Sequence, residues 1–92
     1  MIIVAGWLRV AEHDRDGYLD GCRDVIVAAR SAAGCLDFHL SADLIELDRI
    51  NVFERWESVA DLEAFRGSGP GDDQASAILA ADVSQYEVTE TV

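Results

Sequence analysis

The chain has 92 residues, half of them hydrophobic, which is ordinary for one globular domain and too apolar for disorder. Its net charge is −11, and all seven basic residues are Arg. That field repels phosphate backbones and anionic lipid, so a nucleic-acid partner and a membrane-surface role are not expected.

Cys22 and Cys35 lack CxxC spacing and have no His at metal-ligand intervals. Two reduced thiols and no metal site are expected. The first residues, MIIVAGWLRV, are apolar but carry no basic leader or cleavage site, and they are too short to span a bilayer. A cytoplasmic location is the expectation.

In chain order, residues 2–10 read as a strand rich in Ile and Val. Ile2, Val4, Gly6, Leu8 and Val10 share one parity and should meet a helical layer. Ile3, Ala5, Trp7 and Arg9 share the other, so that face meets something partly polar or a partner. Asp14 or Asp16 can cap a helix running to about Ala33, with apolar positions at Leu19, Cys22, Val25 or Ile26, Ala29 and Ala33. Gly34 is its expected stop. CLDFHLS alternates as a second strand, with Leu36, Phe38 and Leu40 to one side and Asp37, His39 and Ser41 to the other. ADLIELDR reads as a loop with a strand-like edge.

Residues 49–56 form the third strand, and Ser58 with Asp61 resembles a capping box for the next helix. Val59, Leu62 and Phe65 make its apolar stripe, and Gly67 ends it. GSGPGDD breaks the chain; it lacks the Lys and the GK[ST] of a phosphate loop. Asp72 or Asp73 can cap a short helix through Ala81, and VSQYEVTETV alternates as a last strand. The order predicts one domain over residues 1–92, an α+β, ferredoxin-like β-α-β-β-α-β fold. Its four-stranded antiparallel sheet carries helices on one face. The other face bears Trp7 and apolar neighbours, which a homodimer through that open face would bury.

This topology and the segment FERWESVADLEAF resemble the antibiotic biosynthesis monooxygenase family of dimeric α+β barrels. Glu54, Trp56 and Ser58 match its Glu-x-Trp-x-Ser strand end, and Gly34-Cys35-Leu36 resembles the start of its second strand. The resemblance implies a cavity between sheet and helices and an oxygenase without metal or flavin that acts on a small apolar aromatic compound.

The quinone-forming type places Asn four residues before the Trp and Tyr six after; those positions here are Val52 and Leu62. Asn51 is one residue off and points to the opposite face. The haem-degrading type needs a first-strand Asn, a helical Trp and a later His, but Trp7 and Phe65 occupy the first two positions and no His follows His39. Many relatives also carry a His near position 65, where Phe65 cannot move protons.

The candidate catalytic residues are Trp56, which can stack on a planar substrate, Glu54 as a general base, and His39 as a proton acceptor. Trp7, Val52, Leu62 and Phe65 are candidate substrate contacts. The structural readings stand beside these. Trp56 suits a core or interface position, Glu54 an Arg pair, and His39 a solvent-facing hydrogen bond. Two other functions stay open: a non-catalytic dimeric small-ligand-binding domain, and a non-oxidative isomerase or cyclase using the same cavity.

Overall fold

The computed structural model describes residues 1–67 and 75–89. Its elements are β1 (Ile2–Arg9), α1 (Arg15–Gly21), α2 (Arg23–Ser31), β2 (Cys35–Ala42), β3 (Arg49–Trp56), α3 (Val59–Gly67) and β4 (Ala80–Glu87). The strands form one antiparallel sheet in the order β2-β3-β1-β4. Placing β1 between β3 and β4 is the split βαβ arrangement expected from the element order.

Pairing register decides which side chains share a face. Ile2, Val4, Gly6 and Leu8 lie opposite Trp56, Glu54, Val52 and Ile50, and this set meets the helices. Ile2, Val4, Phe38, Trp56, Leu62 and Ala29 form one buried cluster. Val10, Tyr18, Cys22 and Ile50 form a second, beneath α1 and the start of α2. The other parity places Ile3, Ala5, Trp7 and Arg9 against Arg55, Phe53, Asn51 and Arg49. Among the described residues, no helix packs on that face.

Several local expectations are corrected. The first helix is two helices joined at Cys22, whose ψ of −10° departs from the ideal value. Gly17 and Gly21 explain the weak point, since glycine lowers helix propensity by about 1 kcal/mol. Asp14 sits at the N-cap of α1 without a side-chain cap bond. The helix stops at Ser31, and Ala32 is already extended. Gly34, at φ +80°, turns the chain into β2 instead of capping the helix.

Leu36 does not join the core. A bulge between Cys35 and Asp37 shifts the alternation, so Cys35 packs on the cluster while Leu36 is exposed. At the far end, β4 starts at Ala80, inside the short helix expected to reach Ala81; the described part of that stretch is a 3-10 turn at Ala75–Ala77. Residues 68–74, which include the breaker GSGPGDD after Gly67 and its candidate caps Asp72 and Asp73, and residues 90–92 lie outside the described residues.

The capping expectation at α3 holds, with one change. The Asp61 N–H donates to Ser58 Oγ at 3.2 Å. The Ser58 hydroxyl then donates to Asp61 Oδ2 at 2.9 Å, so the acid bonds the capping side chain and not its backbone. Glu57 N–H donates to Gly34 O at 2.8 Å, tying the start of α3 to the turn before β2. A Cβ at Gly34 would overlap the Asp61 side chain, 2.6 Å from its Cβ. Glycine is therefore needed there for its positive φ and for the close approach of the helix.

Candidate functional site

The β3–α3 unit builds the site on the helical side of the sheet. Alternation along β3 aims Val52, Glu54 and Trp56 at the helices, and α3 returns Leu62 and Phe65 onto Trp56. Trp56 and Leu62 are fully buried. The Phe65 ring lies 5.4 Å from the indole at 31°, and Phe38 meets Phe65 edge-on at 6.0 Å. Such tilted and edge arrangements suit the ring quadrupoles.

One acid stands in this apolar wall. Glu54 is flanked across the sheet by Val4 on β1 and Phe38 on β2. Its Oε1 accepts the Trp56 Nε1–H at 3.0 Å. Its other oxygen meets no hydrogen-bond donor among the described residues. Burial pushes the carboxyl above its ordinary value; the Trp56 bond and the distant charge of Arg66 pull it partly back. The Glu54–Trp56 bond also settles a question left open by sequence: this acid pairs with an indole, not with an arginine.

The sheet separates the remaining candidates from this wall. Trp7 is on the open face, its ring under the guanidinium of Arg9 at 4.9 Å and near that of Arg49 at 5.8 Å. His39 is on the same face, its Nε2 2.6 Å from Asp37 Oδ1 and its ring 6.4 Å from Phe53. The contact with His39 holds the Asp37 carboxyl below its usual range. His39 also borders an open groove of about 420 Å³ with Arg30, Cys35 and Asp37, beside the edge strand β2. The sequence candidates thus fall into two sets. Trp56, Glu54, Leu62 and Phe65 come together, Val52 shares their face farther along β3, and Trp7 and His39 lie on the other face.

Phe38 and Arg66 were missed in the sequence. Phe38 was visible as a core-facing strand residue, but its place beside Glu54 depends on register. Arg66 follows Phe65 on α3, and nothing local signals that its charge reaches Glu54.

Both cysteines are free thiols. Burial raises both; a contact with Tyr18 pulls Cys22 partly back, and the Asp37 backbone does so for Cys35. Among the described residues, no three of His, Cys, Asp and Glu gather as a metal-ligating cluster. No described helix is long and apolar enough to cross a membrane.

Similar folds are known. A candidate antibiotic biosynthesis monooxygenase from Deinococcus radiodurans superposes with a TM-score of 0.84 at 20% identity, covering 100% of this chain and 96% of that one. Another from Chloroflexus aurantiacus gives 0.75 at 22% identity, covering 99% and 95%. A conserved protein from Methanosarcina mazei gives 0.81 at 15% identity, covering 96% and 92%. At these identities the likeness concerns fold alone. No curated protein sequence matches the chain. The family model described as antibiotic biosynthesis monooxygenase matches residues 1–77, so the chain belongs to the antibiotic biosynthesis monooxygenase family.

Proposed function

We propose that the chain is a monooxygenase of this family's cofactor-independent kind, acting on a small apolar aromatic compound with an acidic phenol. One observation carries the reading. A single carboxylate, Glu54, stands in an otherwise apolar wall with one oxygen fixed by Trp56 and the other open to a proton. Burial makes that carboxylate a stronger base than an exposed one.

Glu54 takes the phenolic proton. The resulting anion supplies the electrons that reduce oxygen; one oxygen atom enters the product and the other leaves as water. Phe65, part-buried, offers a ring face to a planar substrate with the buried Trp56 indole packed against it, and Leu62 completes the dry wall. We further propose that the working unit is a homodimer closed through the open sheet face, which buries Trp7 and Phe53.

Oxygen uptake with a panel of anthrone-type phenols, in protein stripped of metal, tests the activity. The reading expects uptake matched to product. No uptake across the panel would sink it. A second reading is favoured by the full burial of Trp56 under Phe65: a dimeric domain that binds a small apolar ligand without turnover. Binding of those phenols without oxygen consumption would support it.

A further inference from the structure

The open edge of β2 is bonded at one residue and bare at its neighbours. The β2–β3 hairpin closes with the Asp43 N–H on Arg49 O at 3.0 Å. Alternation from there gives the backbone groups of Ser41 and His39 to β3, and turns those of Ala42, Leu40 and Phe38 away from the sheet. Water ordinarily satisfies such edge groups. At Phe38, side chains of the chain itself take them. Arg30 Nε, from the last turn of α2, donates to Phe38 O at 3.0 Å. The Phe38 N–H donates to Asp37 Oδ1 at 3.0 Å, and His39 Nε2 lies 2.6 Å from the same oxygen. Among the described residues, Leu40 and Ala42 have no such side-chain partners.

Phe38 is also the β2 residue that pairs in register with Glu54. Its buried ring meets Phe65, which packs on Trp56, the residue bonded to Glu54. The one edge residue with side-chain partners is therefore the one that flanks the proposed base.

We infer that Arg30 is a positioning residue for Glu54: from α2 it clamps the Phe38 carbonyl, and so keeps the Phe38 ring beside the carboxyl on the edge side of the sheet. The inference rests on the base role proposed for Glu54 and names the surface group that sustains its surroundings.

Two features make the clamp matter there. The β2–β3 ladder is interrupted between Cys35 and Asp37, directly before Phe38, and a bulge loosens pairing locally. As β2 is the end strand of the sheet, no further strand holds Phe38 from outside. The helix that supplies the clamp is itself anchored, since Ala29, next to Arg30, is fully buried in the cluster that contains Phe38.

Without the clamp the edge loosens at the bulge and water reaches Glu54 from that side. Its carboxyl, now raised by burial, falls back toward the ordinary value and becomes a weaker base. The lost positive charge would act in the opposite direction, because removing a cation raises a carboxyl. The other ionisable groups acting near Glu54 are Cys35 on β2 and Arg66 on α3, while β1 presents Val4. Neither ionisable group is altered by a change at Arg30.

The test follows the Glu54 carboxyl by carbon NMR, with Glu54→Gln assigning the signal, and the Phe38 amide by hydrogen exchange. It compares wild type, Arg30→Met, Arg30→Lys, Phe38→Leu and the Arg30→Met, Phe38→Leu double variant. Arg30 is exposed, so Arg30→Met should stay folded, which circular dichroism checks. The clamp predicts a Glu54 midpoint lower by about half a pH unit or more in Arg30→Met and in Phe38→Leu. It predicts about tenfold faster exchange at Phe38 in Arg30→Met, with Leu40 unchanged. Arg30→Lys, which keeps the charge and a donor, should lie nearer wild type. On the Phe38→Leu background, Arg30→Met should move Glu54 no further. A midpoint unchanged or raised in Arg30→Met, or shifts that simply add, overturns the inference. The titration needs no substrate. Absent oxygen uptake would therefore remove the monooxygenase reading alone, whereas slower uptake by Arg30→Met with an unmoved Glu54 midpoint would remove the clamp alone.

Discussion

Replacing Gly34 with Ala separates backbone geometry from packing at the turn that positions α3. Gly34 has φ +80°, and an L residue pays about 1–2 kcal/mol in the left-handed region. The new methyl would overlap Asp61. Moving Asp61 breaks its reciprocal bonds with Ser58, a cap worth about 1 kcal/mol. The less flexible unfolded chain returns about 0.4–1 kcal/mol. The net loss is about 2 kcal/mol, which lowers Tm by about 8–16 °C for a domain of this size.

Gly17 is the control. Nothing lies within 4 Å of a Cβ there, and the residue is helical, so Gly17→Ala should stabilise by about 0.5–1 kcal/mol. Thermal and urea unfolding of both variants provides the comparison. Equal stability of Gly34→Ala and wild type would refute the role given to the turn. Destabilisation of both variants by similar amounts would refute the distinction between the two glycines.

Two further outcomes concern titration. Hydrogen bonds from the Glu46 backbone, Asn51 and the Ile45 backbone hold the Asp43 carboxyl down at about 2, from 3.8. A depressed folded value means that its stabilisation is present above about 4 and is lost as pH falls toward 2. Asp43→Asn should therefore be less stable than wild type at pH 7, with the gap in urea midpoint closing near pH 2; a constant gap contradicts this. The thiols should differ in access. Cys22 is 3% exposed and Cys35 only part-buried, so Cys35 should be alkylated first, and Cys22 only as fast as the fold opens. Equal native labelling rates would contradict the burial.

Element order was legible because the strongest signals are local. Ile–Val runs, the Ser58–Asp61 cap and glycine breaks do not depend on distant partners. What was not legible depends on pairing. The bulge that turns Leu36 outward arises between β2 and β3 and leaves no mark in strict alternation. The break at Cys22 falls inside one continuous apolar stripe, and only Gly17 and Gly21 hint at it.

For the site, strand parity correctly put Val52, Glu54 and Trp56 on one face. It also put His39 and Trp7 on the other, so the single list of candidates divides in the structure. The partner of Glu54 lay two residues away on its own strand face, yet arginine pairing looked as good in the sequence. Only the rotamers choose the indole.

The proposed chemistry stands on Glu54 acting as the base in an apolar wall. Its pKa, raised by burial, places the active deprotonated form above the ordinary carboxylate range. The deciding measurement is the oxygen-uptake rate of Glu54→Gln beside wild type, with substrate, pH and protein concentration matched. The glutamine amide keeps the shape of the side chain and can still accept the indole N–H, but it cannot take a proton. Loss of the base predicts a fall of about 10²–10⁴-fold with the fold intact. A variant as fast as wild type would contradict the role given to Glu54.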